Sequence, residues 1–414
     1  MARDKQEQNL WRRHIRIYRF LTRALNGPVR SMFNYTYDTY GADEIEGPVI
    51  VIPNHACAWD PILTGIAFRR KQMYFVATEH ILRWKVLGLV INWLVQPVPR
   101  KKAGMATGTV MTCLRHLRAG RSIALFAEGE QTWTGISGAA FPATGKLVKQ
   151  SGATLVTFRI EGAYLALPRW ASGVRKGKVY GHTVNIYQPE QLKKMTAEEI
   201  TEAIDRDIYF DIWKWQDEQQ NGRIRFRGKS RKSEPAAGLE KAVFICPECR
   251  RIGTLRSSGD TVSCSCGFRV RFSETGFFEG GISGISTIAD WDEWQKGEFV
   301  RQLDEMAGTA DCPRADEKEI LGDDKAVLFR IGDGHTDEQI AEGRLRVRVS
   351  EGKYLLSVGE NELDITDIRL MAMVLSNILL IQTDSGYYQI LTEGVNLRKY
   401  LQIWEYLDNR QKNL

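Results

Sequence analysis

Apolar and polar positions along the chain repeat with two different periods, and the change between them divides it. In residues 10–25 (LWRRHIRIYRFLTRAL), a step of 100° per residue puts Leu10, Trp11, Ile15, Ile17, Tyr18, Leu21 and Leu25 on one face. Arg12, Arg13, Arg16, Arg19 and Arg23 fall on the other, and Phe20 breaks the pattern. This predicts an amphipathic helix, within a basic N-terminal segment 1–33. Such a helix can pack on its own domain with a solvated basic side, or lie in a membrane interface where apolar burial and attraction to anionic lipid add. From residue 49 onward, strands and helices alternate. Residues 49–53 read as a buried strand, 60–69 as a helix, and 72–78 as a strand with Met73, Phe75 and Ala77 alternating. Residues 86–98 read as a buried core helix, 105–118 as a helix with Gly120 at its C-cap, and 122–126 as a buried strand. A further helix opens at Thr144-Gly145-Lys146, and a strand follows over 154–160; residues 34–47 read as a loop. The alternation predicts an α/β domain over 34–220, a mainly parallel sheet flanked by helices, with the strand-end loops along one edge.

Past residue 220 the pattern breaks. Asn221-Gly222 opens a run in which Arg223, Arg225, Arg227, Lys229, Arg231 and Lys232 alternate with few apolar residues, a basic linker over 221–240. Short strand-like runs over 241–280 flank two cysteine pairs, and a helix capped by Asp290 is expected over 290–306 in a connector, 281–317. Period two then returns in pieces at 345–349, 354–358, 378–381 and 387–391, before a helix over 397–407. Antiparallel strands closed by one C-terminal helix make 318–414 a small β-rich domain, similar in outline to pleckstrin-homology-like docking modules.

The 414 residues, 43% hydrophobic and 26% charged, suit a folded chain of several domains and exclude wholesale disorder. A net charge of +6 does not by itself indicate nucleic acid. Arg250, Arg251, Arg256, Arg269 and Arg271 with Phe268 and Phe272 leave a nucleic-acid-binding ribbon open, although nucleic acid is not the partner expected. The N-terminus has no apolar secretory core, and no run reaches the roughly eighteen apolar residues of a membrane span. Seven cysteines, an odd number with four clustered, fit a reducing, cytoplasmic setting. Those four, Cys246-Pro247-Glu248-Cys249 and Cys264-Ser265-Cys266, can surround one Zn²⁺ as a tetrahedral zinc ribbon. With every ligand a thiolate, such a metal has no open position and is structural.

The candidate chemistry begins where the first buried strand delivers Asn54-His55 to a loop and Asp60-Pro61 opens a helix. His55 is the side chain there suited to act as a base near neutral pH, and Asp60 is close enough to orient its second ring nitrogen. Asp60-Pro61 is equally an ordinary helix start, Asp at the N-cap and Pro at N1. No protein nucleophile accompanies the pair, so the hydroxyl to be activated belongs to a substrate. Arg100-Lys101-Lys102, behind Pro97 and Pro99, read by themselves as a solvated loop, and as the alternative can hold an anion. Glu128-Gly129 follows the 122–126 strand, and Glu161-Gly162 ends the 154–160 strand.

In order and spacing, His55-x4-Asp60, Arg100, Phe126-x-Glu128-Gly129 and Glu161-Gly162 resemble the four motif blocks of the glycerophospholipid acyltransferase family, which includes the 1-acyl-glycerol-3-phosphate acyltransferases. The resemblance covers roughly residues 35–215. It implies transfer of a fatty acyl group from acyl-CoA or acyl carrier protein to the hydroxyl of a lysophospholipid, most directly 1-acyl-glycerol-3-phosphate, in phospholipid biosynthesis. It also implies His55 and Asp60 as catalytic residues, Arg100, Glu128 and Gly129 as acceptor-binding residues, and work at the inner face of a membrane with anionic lipid. The blocks depart from the family's pattern at Ala127 (usually Pro), Glu130-Gln131-Thr132 (usually Thr-Arg-Ser), Val98-Pro99 (usually Ile-Asp) and Thr157 (usually Pro). Gln131 stands where the family has an Arg that helps bind acceptor phosphate; Lys101, Lys102 and Lys146 are candidates to restore that charge. The alternative is a non-catalytic lipid- or nucleic-acid-binding regulator on the same fold.

Overall fold

The computed structural model describes residues 2–79, 88, 92–100, 107–228, 234–281, 283–308, 318–332, 337–350 and 353–412. They form two compact units, Met1–Pro235 with Glu274–Gly276, and Ala236–Ser273 with Phe277–Leu414.

The first unit is built on a seven-stranded sheet. Its strands are β1 (Tyr35–Asp38), β2 (Val49–Pro53), β3 (Met73–Thr78), β4 (Val98–Arg100), β5 (Ser122–Ala124), β6 (Thr154–Glu161) and β8 (Val179–Tyr187), in the spatial order β1-β8-β6-β2-β5-β3-β4. β2 pairs in parallel with β5 and β6, and β3 in parallel with β5 and β4. β8 runs antiparallel to β6 and parallel to β1, so the sheet is mainly parallel. β2 is buried along its whole length, as a continuous apolar strand between two neighbours should be. Ile50, Ile52, Ile123, Leu125 and Leu155 from the sheet pack with Leu147, Val148, Ile200 and Ile204 from the helices Pro142–Ser151 and Ala197–Ile208. The second of these helices starts on a capping box, in which Thr196 Oγ1 accepts the Glu199 N–H and the Glu199 carboxylate accepts the Thr196 N–H.

Three local readings change. Residues 34–47 contain β1, an edge strand that forms because β8 offers it a ladder, a partner far away in sequence. β5 is shorter than expected, although the Leu125 N–H still bonds to Val51 O. Most of the core helix expected over 86–98 lies outside the described residues; of its remainder Gly88 is buried, whereas Asn92 and Trp93 are exposed. Lys101 and Lys102 also lie outside the described residues, as do Lys229, Arg231 and Lys232 of the linker. The linker's first part is anchored: Phe226 is buried, its N–H bonds to Glu274 O, and Arg227 pairs with Glu274. Just beyond, β9 (Arg227–Gly228) pairs antiparallel with β7 (Arg175–Lys176).

Helix α1 (Ala2–Phe33) packs against its own unit along a stripe that takes in only part of the face the sequence marks as apolar: Tyr18 is buried, Trp11, Ile15, Ile17, Leu21 and Leu25 are half-buried, and Leu10 is 38% exposed. His14, Tyr18, Thr22, Val29 and Phe33 are buried, and Tyr18 donates to Gly65 O at the far end of helix α2 (Asp60–Ala67). His14 Nε2 donates to Met73 O, and its ring stacks on Tyr74 at 4.1 Å, with Trp11 and His116 continuing the stack.

In the second unit β10 (Leu255–Ser258), β11 (Thr261–Cys264), β12 (Arg269–Phe272) and β13 (Phe278–Glu279) form an antiparallel ribbon. Strands β14 (Lys318–Ile331), β15 (Asp337–Ser350), β16 (Lys353–Val358), β17 (Asn361–Asp364), β18 (Ile368–Val374), β19 (Ile378–Thr383) and β20 (Gly386–Thr392) form a seven-stranded antiparallel sheet. The helix Ile288–Gly308 is capped by Thr287, with Asp290 as the reciprocal partner: Asp290 Oδ2 accepts the Thr287 N–H, and Thr287 Oγ1 accepts the Asp290 N–H. Segments expected as separate domains share buried polar contacts. Arg398, on the helix Arg398–Lys412, pairs with Asp292 at 2.7 Å and donates to Ala242 O, while Trp291 Nε1 donates to Ile245 O.

Burial pushes His14 down to about 4, against its bond to Met73 O and helped by neighbouring His116 and Arg121; burial followed by Arg121 does the same to His116. An unfolded chain takes up these protons near pH 6.5 and the folded one only near 4. Stability is therefore full above pH 6.5 and falls as the pH drops towards 4, by ~3 kcal/mol for a ring displaced this far. Urea unfolding followed by tryptophan fluorescence should show a lower midpoint at about pH 5 than at about 7.5, on either side of the unfolded value, and a smaller difference in His14→Phe; equal midpoints in the wild type would refute this.

Candidate functional site

The C-terminal ends of β2, β4, β5 and β6 meet along one edge of the parallel sheet, where an open α/β sheet presents its loops. Asn54, directly after β2, is locked to β6: its Oδ1 accepts the Ile160 N–H at 2.7 Å and its Nδ2 donates to Ile160 O at 3.1 Å. That clamp fixes where the next residue, His55, leaves the sheet.

His55 Nδ1 lies 2.9 Å from Asp60 Oδ2. A carboxylate only accepts, so Nδ1 carries the hydrogen and Nε2 is left with its lone pair. The imidazole stacks on Phe126 at 4.1 Å, and its side chain is 15% exposed, enough for a small group to reach it. Asp60 is fully buried and is not an N-cap; Trp59 holds that position without a capping side chain. The carboxylate turns back on the loop instead. Oδ2 accepts the N–H groups of Ala56 and Cys57 at 2.6 and 2.7 Å, and Oδ1 accepts the Cys57 thiol at 3.2 Å. The closure of the loop and the orientation of His55 thus come from one residue.

Glu128 is 7% exposed, with both oxygens engaged by backbone: Oε1 accepts the His55 N–H and Oε2 the Gly138 N–H, each at 2.7 Å. Burial pushes its carboxyl up to about 8, against those two N–H groups, which favour the ionised form. The side chain bridges the His55 loop to the 137–140 segment. Gly129 follows in the left-handed region, φ +79°, and a Cβ there would come 2.0 Å from Phe141 Cε2 and 2.8 Å from Arg100 Nη2. Its lack of a side chain lets Arg100 lie over the Phe141 ring at 5.1 Å.

Arg100 ends β4, is 9% exposed, and its Nε has no hydrogen-bond partner among the described residues. Burial pushes its guanidinium down, and the Glu130 carboxylate pushes it back up. With His55, Val76, Phe126, Gly129, Phe141 and Thr144 it lines a cavity of about 110 Å³. A buried guanidinium with an unanswered N–H, facing the same space as an oriented imidazole, is equipped to hold an anion beside a proton acceptor. Asn54, Cys57, Phe141 and the Gly138 N–H belong to this arrangement too. Asn54 and Cys57 share the stretch of sequence that carries His55; Gly138 and Phe141 come from a segment that no local pattern joins to it. Lys146, proposed to restore charge, is on the helix Pro142–Ser151, outside the residues lining the cavity.

In the second unit, the Sγ atoms of Cys246, Cys249, Cys264 and Cys266 all lie within 4.8 Å of one another. Cys246 to Cys266 is 3.8 Å and Cys249 to Cys264 is 3.7 Å. Four thiolates at about 2.3 Å from a tetrahedral metal stand about 3.8 Å apart, so the cluster fits one ion.

Residues 34–161 match the Acyltransferase family. Among solved structures, the 1-acyl-sn-glycerophosphate acyltransferase PlsC from Thermotoga maritima is similar at 17% identity, over 52% of this chain and 84% of that one, with a TM-score of 0.41. The N-terminal PH domain of Vps36 is similar at 14% identity, over 24% of this chain and 85% of that one, with a TM-score of 0.19.

Gln has one acceptor oxygen where Glu128 uses two, so Glu128→Gln leaves either His55 or Gly138 facing an amide NH₂. We expect a loss of ~1–3 kcal/mol in denaturant unfolding; a variant as stable as wild type would show that the bridge carries no weight. Protein purified under reducing conditions should hold one divalent ion per chain by native mass spectrometry, and a chelator should remove it while lowering the melting temperature. Metal-free protein of undiminished stability would overturn the metal assignment.

Proposed function

We propose that this chain, whose residues 34–161 form a domain of the acyltransferase family, moves a fatty acyl group from a thioester to the hydroxyl of a lysophospholipid. The observation that carries the reading is the His55–Asp60 contact at 2.9 Å, facing a cavity that also holds Arg100. In this reading the acceptor's phosphate pairs with Arg100, which sets its free hydroxyl against His55 Nε2. His55 takes the proton while Asp60 holds the imidazole and stabilises its cationic form. The alkoxide oxygen forms a bond to the thioester carbonyl carbon. As the tetrahedral species collapses the C–S bond breaks, and the thiolate of CoA or acyl carrier protein takes the proton back from His55. No acyl-enzyme is required. 1-Acyl-glycerol-3-phosphate is the parent acceptor that the motif blocks point to, and phospholipid synthesis the setting. Glu128 and Gly129 serve the acceptor site by shaping it, one through the His55 N–H and the other by leaving room for Arg100.

We place the protein peripherally on the cytoplasmic, inner face of a membrane. Among the described residues no helix is long and apolar enough to cross one. With His14, Tyr18 and Thr22 of α1 buried against its own unit, what remains for a membrane is its other side. Arg12, Arg16, Arg19 and Arg23 are exposed there, Phe20 is 70% exposed among them, and Trp93, 59% exposed, is tied to Arg13 by a hydrogen bond and a cation–π contact. Cations interleaved with aromatic rings suit an anionic headgroup layer. The metal of the cysteine cluster we take to be structural zinc.

His55→Ala should lower acyl transfer about 10³-fold, within the range for loss of a general base, with an unchanged circular dichroism spectrum; turnover near wild type would sink the mechanism. Replacing Arg16 and Arg19 together with Ala should weaken sedimentation with phosphatidylglycerol vesicles and leave transfer to detergent-dispersed acceptor intact. Equal sedimentation would remove α1 from the membrane contact.

A further inference from the structure

Acyl transfer through His55 and Asp60 leaves one buried nucleophilic group beside them without a part, the Cys57 thiol. It is fully buried and meets the Asp60 carboxylate twice: its N–H donates to Oδ2 at 2.7 Å, and its Sγ lies 3.2 Å from Oδ1. Burial first and the Asp60 carboxylate second push this thiol well above its ordinary range, so it keeps its hydrogen and donates. The two oxygens of Asp60 are unequally answered. Oδ2 takes the His55 Nδ1 hydrogen and the N–H groups of Ala56 and Cys57. Among the described residues Oδ1 accepts the thiol alone, and a thiol is a weak donor. Because one residue reaches both oxygens, the carboxylate cannot turn about its own axis without breaking a bond to Cys57. That keeps Oδ2 towards the imidazole. A cysteine that only filled space would explain the burial, but not a sulfur placed on a carboxylate oxygen.

We propose that Cys57 is a positioning residue for His55: its thiol holds Asp60 Oδ1 so that Oδ2 faces the ring, and its weakness as a donor leaves the carboxylate's charge to the imidazolium. The inference rests on the acyl-transfer reading for the reaction that this base serves, but its physical content is the sharing of one buried charge among its donors. Without the thiol, Oδ1 is buried with no donor. The charge then leans harder on the ring, and the protonated imidazole is favoured. A hydroxyl in place of the thiol donates more strongly to a carboxylate, so the ring holds its proton less. The other titratable groups around the pair are Glu128, whose oxygens are taken by the His55 and Gly138 N–H groups, Arg100 in the same cavity, and Tyr35 of β1, which donates to Leu63 O. A change at Cys57 alters none of them, nor Lys101 and Lys102, so their fields cancel when variants are compared with wild type.

The test is the pH dependence of kcat/KM for acyl transfer to 1-acyl-glycerol-3-phosphate in wild type, Cys57→Ala and Cys57→Ser. In the same three proteins NMR follows the protonation of the His55 ring, its resonance assigned by its loss in His55→Asn. A general base is lost as the pH drops and the ring takes a proton. Cys57→Ala should move that fall in kcat/KM to higher pH by about half a pH unit, a fraction of what a hydrogen bond to a charged group is worth, and the ring should titrate higher to match. Cys57→Ser should move both to lower pH than wild type, and it carries the test by itself if Cys57→Ala does not fold. A residue that only fills space would lower the melting temperature in Cys57→Ala and leave both pH values in place; that result overturns the inference, as does a Cys57→Ser ring that titrates no lower than wild type. If acyl transfer occurs and neither value moves, this inference fails and the acyl-transfer reading stands. If no lysolipid is acylated while the ring titration moves as stated, the acyl-transfer reading fails and the hold of Cys57 on Asp60 stands.

Discussion

The site depends on one buried carboxylate. Asp60 is fully excluded from water, and such a charge is tolerated only where enough donors answer it. Two backbone N–H groups, a thiol and an imidazole N–H converge on it, and the donors come from three consecutive residues, His55, Ala56 and Cys57. The loop closes around the charge, and the imidazole tautomer follows from that closure. Because Asp60 is also the first residue of α2, the helix and the loop share one anchor. Loss of the charge would disturb both.

Glu128 applies the same principle at longer range. It comes from the loop after β5, and through backbone N–H groups it holds the residue after Asn54 and a third loop. Parallel strands set side by side bring such loops together without any local sequence signal. Gly129 then leaves the space in which Arg100 and Phe141 stack, so a glycine without chemistry of its own determines where the cation sits.

The second unit is stabilised by different means. Its ribbon, the helix Ile288–Gly308, the antiparallel sheet and the helix Arg398–Lys412 are joined by buried polar contacts. Arg398 reaches Asp292 and Ala242 O, and Lys399 reaches Asp323 at 2.6 Å. Breaking one partner of such a pair leaves an uncompensated charge, which ties these segments into a single compact unit. The four thiolates close one end of that unit's ribbon.

The sequence alone determined what depends on short-range pattern. Strand and helix alternation implied the mainly parallel sheet, spacing placed His55 and Asp60 within reach of each other, and two pairs of cysteines announced the cluster. Local patterns were misleading where one residue had two uses. Asp60 reads both as a helix cap and as the partner of His55, and serves the loop; Asp290 reads as a cap and is the partner of Thr287. Only the tertiary structure decided that Glu128 bridges backbone, that the Arg100 Nε has no partner among the described residues beside the imidazole, and that Arg169 reaches Glu130 from 39 residues away. The reason is physical. A side chain's hydrogen-bond partner is set by which loops the sheet order brings together, and that order is a property of the whole packed unit rather than of any window along the chain.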